Sequence, residues 1–92
     1  MINHVEISLN AKKDLKKSPK HIVAKLLAWI EKVEDFGLAE ARKIKGYHDE
    51  PLKGNRRGQR SIRLSKSYRA IYKILKDEVE FVLIEEVNKH DY

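Results

Sequence analysis

Residues 59–87 read QRSIRLSKSYRAIYKILKDEVEFVLIEEV, and this stretch decides the fold. It holds three strand-like runs. Residues 59–64 alternate, with Ile62 and Leu64 on one side and Ser61 and Arg63 on the other. Residues 69–75 are β-branched and aromatic, and residues 80–87 form the most hydrophobic run of the chain. The links Ser65-Lys66-Ser67 and Lys76-Asp77-Glu78 are short enough only for tight turns. The three runs are therefore predicted to form an antiparallel meander.

Working back from the meander, residues 46–58 are polar, with three glycines and Pro51, and read as a loop. Before it, Ile22, Leu26, Trp29, Ile30 and Val33 recur at helical spacing, which puts them on one buried stripe. Trp29 is expected in the core. Ser18 is read as that helix's N-cap with Pro19 at its first position, and Gly37 as its C-cap. Residues 38–44 are read as a further helical turn or two. A shorter helix is read with Ala11 and Leu15 on one face and Asn10 as its cap. Val5, Ile7 and Leu9 alternate with polar residues and give a first strand. The expected fold class is α+β, in the order β-α-α-β-β-β. A small twisted antiparallel sheet would carry two N-terminal helices on one face. At 92 residues this is one domain, 1–92.

Charge narrows the function classes. The chain holds 20 Lys+Arg and 14 Asp+Glu, net +6, but unevenly. Residues 1–52 carry ten basic and eight acidic side chains. Residues 53–76 carry nine basic and no acidic, and residues 77–92 one basic and six acidic. Five of the nine are arginines, which suit bidentate phosphate contacts. Surfaces usually mix signs, so a run of this length points to a polyanion partner. There are no cysteines, which excludes a disulfide framework, thiol catalysis and a cysteine-based zinc finger. No run approaches the roughly 18 apolar residues of a membrane span and no signal-peptide pattern opens the chain. No membrane role is expected, and the localisation expected is cytoplasmic.

Three local patterns resemble the RelE/ParE toxin superfamily of bacterial type II toxin–antitoxin systems. Pro51-Leu52-Lys53-Gly54, followed by a basic loop and Gly58, is similar to the loop of HigB-type toxins. Tyr68-Arg69-Ala70-Ile71-Tyr72 resembles the aromatic–Arg–x–apolar–aromatic strand of RelE and HigB relatives. His90-Asp91-Tyr92 resembles the aspartate–tyrosine tail of HigB. The resemblance covers nearly the whole chain. It implies an endoribonuclease toxin that cleaves mRNA in the A site of the 70S ribosome and so inhibits translation. It also implies a cognate antitoxin, with operator DNA reached only through the antitoxin complex.

The resemblance carries over residue by residue. Lys53 matches the loop lysine implicated in catalysis, and Arg69 the strand arginine used on the scissile phosphate. Asp91 and Tyr92 match the terminal pair, and Arg63 falls near a strand lysine of RelE. The sequence departs from HigB before the proline, where HigB has a histidine. Glu50 stands there, with His48 two residues earlier.

Metal-free RNA cleavage needs a base for the 2′-hydroxyl proton, an acid for the leaving 5′-oxygen, and cations for the phosphorane. Arg69 and Lys53 are the candidate cations, with Arg63 in reserve. Asp91, Glu50, His90 and His48 are the candidate bases. His90 or Asp91 is favoured for proton transfer, and Tyr92 for stacking a base. Arg56, Arg57, Arg60, Arg63, Lys66 and Lys73 are the candidate RNA-binding residues. No cofactor is expected. His48, Asp49, Glu50, His90 and Asp91 match no metal-ligand spacing, and no metal is expected. Tyr68 and Tyr72 are read as sheet residues, and His4 and His21 as structural or exposed. Two other functions stay open: a ParE-like toxin that inhibits DNA gyrase without cleaving RNA, and a non-enzymatic basic RNA- or DNA-binding module.

Overall fold

The meander forms as the alternation predicts. In the structure, a computed structural model that describes residues 1–87, it comprises β3 (Gln59–Arg63), β4 (Tyr68–Leu75) and β5 (Glu78–Glu86). Ahead of it come β1 (His4–Ile7), α1 (Leu9–Lys16), α2 (Lys20–Phe36), α3 (Leu38–Ala41) and a two-residue strand, β2 (Glu50–Pro51). Two 3-10 turns, Lys45–Tyr47 and Gly54–Arg56, flank β2. Residues 46–58, expected as loop, thus contain β2, the second 3-10 turn and two residues of the first.

The sheet order is β1-β5-β4-β3-β2. β2 to β5 are antiparallel neighbours, but β1 lies parallel to β5, from His4 beside Glu78 to Ile7 beside Phe81. The sheet is therefore mixed, where an antiparallel one was expected. The helical segment returns the chain to the far edge, and the meander's third strand then runs in β1's direction. This explains the composition of β5: it has a neighbour on each side, and its inner face meets the helices.

The α2 stripe is buried as predicted at Ile22, Leu26, Trp29, Ile30 and Val33. It packs on Ile62, Ala70, Tyr72, Val79, Phe81 and Ile84 of the sheet. At the centre three rings meet. Trp29 lies 5.2 Å from Tyr72 and 5.6 Å from Phe81, centroid to centroid, and Tyr72 lies 5.6 Å from Phe81. Tilted and edge-on ring pairs at this distance add to simple area burial.

The caps differ from expectation. β1 ends at Ile7, and Ser8 caps α1, its Oγ accepting from the Ala11 N–H at 3.1 Å. Leu9 is then helical and 78% exposed rather than an inward strand residue. Asn10 instead donates from Nδ2 to the Val82 carbonyl at 3.4 Å. Val82 is the extra residue of a bulge, because Ile71 pairs with Leu83 while Tyr72 pairs with Phe81. Asp14 completes this attachment by accepting the Ile84 N–H at 3.0 Å. Ser18 donates back to the Asp14 carbonyl at 2.8 Å, so it closes α1, and Pro19 becomes the cap residue of α2. Gly37 does end α2, at φ +89°, and Met1 packs so close that a Cβ there would meet its sulfur at 2.6 Å.

Among the described residues the Trp29 indole nitrogen has no hydrogen-bond partner, so Trp29 contributes through its rings. Trp29→Ala is expected to lower stability by about 3–5 kcal/mol in urea unfolding, and Trp29→Phe by clearly less, since Phe loses volume but no hydrogen bond. Equal losses for the two would show that the indole nitrogen is bonded after all.

Candidate functional site

The strands present two faces. Ile62, Ala70, Tyr72, Phe81 and Ile84 face the helices. Their neighbours Ser61, Arg63, Arg69, Lys73, Glu80 and Glu85 occupy the other face by alternation. At one end of that open face lies a cleft of about 160 Å3. Arg63 and Ser61 line it from β3, Arg69 and Tyr68 from β4, and Ser65 and Lys66 from the turn between those strands. His48 and Glu50 close it from the rim segment that leads into β2. Val87, the last described residue, also lines it.

Of the expected catalytic residues, the cleft brings together Arg69, His48 and Glu50. It adds Arg63 and Lys66 from the expected RNA-binding set. Lys53 is exposed and is not a lining residue. His90, Asp91 and Tyr92 lie outside the described residues. Arg57 is exposed beyond the cleft.

The remaining basic residues are not the open phosphate surface that charge counting suggested. The cross-strand register sets Arg69 opposite Glu85 and Lys73 opposite Glu80. Arg69 directs Nε to Glu85 at 2.6 Å and Nη2 to the same oxygen at 2.5 Å. Arg56 reaches Glu85 from the 3-10 turn, with its two Nη atoms at 2.9 and 3.2 Å from the two oxygens. Lys73 lies 3.5 Å from Glu80. Arg60 does not face the cleft at all. It shares the inner side of β3 with Ile62, and its Nε donates to Asp49 at 2.6 Å.

Asp49 is the residue that sequence reasoning undervalued. Its side chain is wholly excluded from solvent, and it also accepts from the Tyr72 hydroxyl at 2.5 Å. Burial, followed by this bond to Asp49, pushes the Tyr72 hydroxyl far above its ordinary pKa. The Glu85 carboxyl is held below its ordinary value, first by the Arg56 hydrogen bonds and then by Arg69, against the opposing effect of burial. Asp49 carried no local sequence signal. Glu85 carried only part of one: a regular tight hairpin from Leu75–Glu78 would set Ile84 opposite Arg69, and the bulge at Val82 is what brings Glu85 there.

For metals, the described residues bring only His4, Glu6 and Glu78 close enough to share one ion. They lie at the β1 edge, and His4 already pairs with Glu6 at 2.7 Å and Glu78 at 3.5 Å. No described helix is long and apolar enough to cross a membrane.

A small α+β domain with a helix-covered sheet and a cation-lined cleft on the other face defines a class of RelE-like folds. Comparison with known proteins agrees. The family model described as "ParE toxin of type II toxin-antitoxin system, parDE" matches residues 5–91. The chain belongs to that family, within the RelE/ParE superfamily, and is a toxin of the type II toxin–antitoxin class. It is similar in fold to YafQ from E. coli, with 23% identity over 89% of this chain and 90% of that one, at a TM-score of 0.73. The toxin of the E. coli DinJ-YafQ toxin–antitoxin complex is also similar, at 23% identity over 94% and 93% of the two chains, TM-score 0.73. A third likeness is to the YoeB dimer from Staphylococcus aureus, at 17% identity over 92% and 97%, TM-score 0.65. No curated protein sequence matches the chain.

The Glu85 cluster gives a pH signature. A carboxyl whose folded pKa is lowered stabilises the fold fully above its ordinary value of 4.5, and that contribution is lost as pH falls through the lowered folded value. Glu85→Gln does not titrate. The stability gap between parent and Glu85→Gln, from urea unfolding, is therefore expected to narrow between about pH 6 and pH 3. A gap that stays constant would show that the two arginines do not hold this carboxylate ionised.

Proposed function

We propose that the chain is an endoribonuclease toxin that cleaves mRNA on the ribosome, by attack of the 2′-hydroxyl on the adjacent phosphorus. The observation that carries the reading is the meeting of Arg63, Lys66 and Arg69 with His48 and Glu50 in one cleft. Cations and proton acceptors lining one cleft are what this reaction requires. Among the described residues Arg69 Nη1 makes no hydrogen bond, which leaves it as a donor for a phosphate oxygen. Arg63 and Lys66 add positive charge along the same wall, where negative charge grows in the phosphorane. Glu50 and His48 are the cleft's candidate acceptors for the 2′ proton. His90, Asp91 and Tyr92, three to five residues beyond the lining residue Val87, are proposed for leaving-group protonation and base stacking. Lys53, in the loop beyond β2, is proposed to contact the message outside the cleft.

The proposed partners are a cognate antitoxin, the ribosome and mRNA, with operator DNA engaged only through the antitoxin complex. The structures titled as the DinJ-YafQ complex and the YoeB-YefM complex support an antitoxin partner by analogy of fold. The proposed localisation is cytoplasmic, where all of these reside.

One observation favours a second reading. The matching family model carries the ParE description, which is the name of the alternative set out from the sequence, a toxin that inhibits gyrase. A gyrase inhibitor has no use for cations and proton acceptors in one cleft, which is why the ribonuclease reading is preferred.

Arg69→Ala is expected to reduce message cleavage on translating ribosomes by about 100- to 1000-fold. Glu50→Gln is expected to reduce it by about 100-fold or more if Glu50 is the base. Both variants should keep the parent's circular dichroism. Variants that cleave as well as the parent would refute the site. A parent that leaves message intact and blocks gyrase supercoiling would establish the second reading.

A further inference from the structure

Residues 47–50 alternate between the protein interior and the cleft. Tyr47 is buried and its hydroxyl donates to the Lys25 carbonyl at 3.0 Å. His48 is exposed and lines the cleft, Asp49 turns inward, and Glu50 again lines the cleft. His48 has φ +46° and ψ +51°, a left-handed conformation disfavoured for any residue with a Cβ. Such a conformation persists only where the surroundings hold it. On one side the Tyr47 bond to α2 does so. On the other side only Asp49 lies between His48 and the β2–β3 pairing that starts at Glu50, opposite Ser61.

Asp49 makes two charge-assisted bonds, to Tyr72 on β4 and to Arg60 on β3. Both donors belong to strands that also carry the cleft's phosphate-side residues. Arg69 is three residues before Tyr72, and Arg63 three after Arg60. One buried carboxylate therefore ties the rim to the wall it faces.

We propose that Asp49 is a positioning residue for the cleft, aiming His48 and Glu50 at the bound substrate through its bonds to Tyr72 and Arg60. It touches no substrate itself. This rests on the ribonuclease reading for its kinetic consequence, but not for its structural one.

The test uses two variants of the full chain. Asp49→Asn keeps the shape and removes the charge. Tyr72→Phe keeps the ring in the core, removes one donor, and leaves the Asp49–Arg60 pair intact. Cleavage kinetics on translating ribosomes are read with amide and imidazole NMR shifts and urea unfolding. In Asp49→Asn, kcat is expected to fall on the order of 100-fold, as for a displaced catalytic group, and in Tyr72→Phe by less. KM should stay within about threefold, because Arg63, Lys66 and Arg69 are untouched. NMR shifts should change at residues 47–50 and not at residues 63–69. Introduced into a chain already carrying both His48→Gln and Glu50→Gln, Asp49→Asn should cost little more, since the groups it aims are already gone.

A kcat loss that is additive with the paired His48→Gln and Glu50→Gln changes, or one explained by the unfolded fraction alone, would overturn the proposal. So would rim shifts identical to the parent's in both variants. If Asp49→Asn does not fold, Tyr72→Phe decides by the same criteria. If the parent cleaves no RNA, the ribonuclease reading fails, and the NMR shifts alone decide whether Asp49 holds the rim.

Discussion

Tyr72 joins the two halves of this protein. Its ring is buried between Trp29 and Phe81, where helix and sheet meet. Its hydroxyl emerges from that core onto Asp49, whose neighbours line the cleft. A phenol suits this place because it is apolar over most of its surface and polar at one end. The buried carboxylate is supported in turn by Arg60, so neither charge is left alone in a poorly solvated site. The packing that gives the fold its stability thus also sets the position of the rim segment.

The charge distribution is settled by strand pairing. As a string, the chain has a basic block and an acidic end. As a sheet, it interleaves them: Glu85 lies between Arg56 and Arg69, and Glu80 lies near Lys73. Arg63 and Lys66, on the β3 side, keep their charge toward the cleft. The result is a narrower electropositive site than net charge implies. Within it, Arg69 is held in a fixed orientation by Glu85.

Much of this was legible in the residues. The α2 stripe, the meander and the inward placement of Trp29 follow from periodicity, because a side chain's face depends only on its own and its neighbours' positions along the chain. Arg69, Glu50 and His48 were named as candidates from the patterns around them, and all three line the cleft. The caps were less legible. Ser8 and Asn10 are both competent N-caps, and only the bulge at Val82, which takes Asn10, leaves the role to Ser8. The parallel pairing of β1 with β5 was not legible, since no local pattern records which edge a distant strand will join.

The sequence alone determined the elements, their inner faces and the residue types available for chemistry, since these follow from short-range periodicity and turn chemistry. Only the tertiary structure decided which charges remain free and which carboxylates are structural. In the sequence Glu85 and Asp49 look alike, each one of an adjacent pair of acids, Glu85-Glu86 and Asp49-Glu50. One is set against Arg69 by the bulged hairpin and reached by Arg56 from the 3-10 turn, and the other is buried against a tyrosine 23 residues away. Pairing at that separation depends on long-range packing, which no local run of the sequence contains.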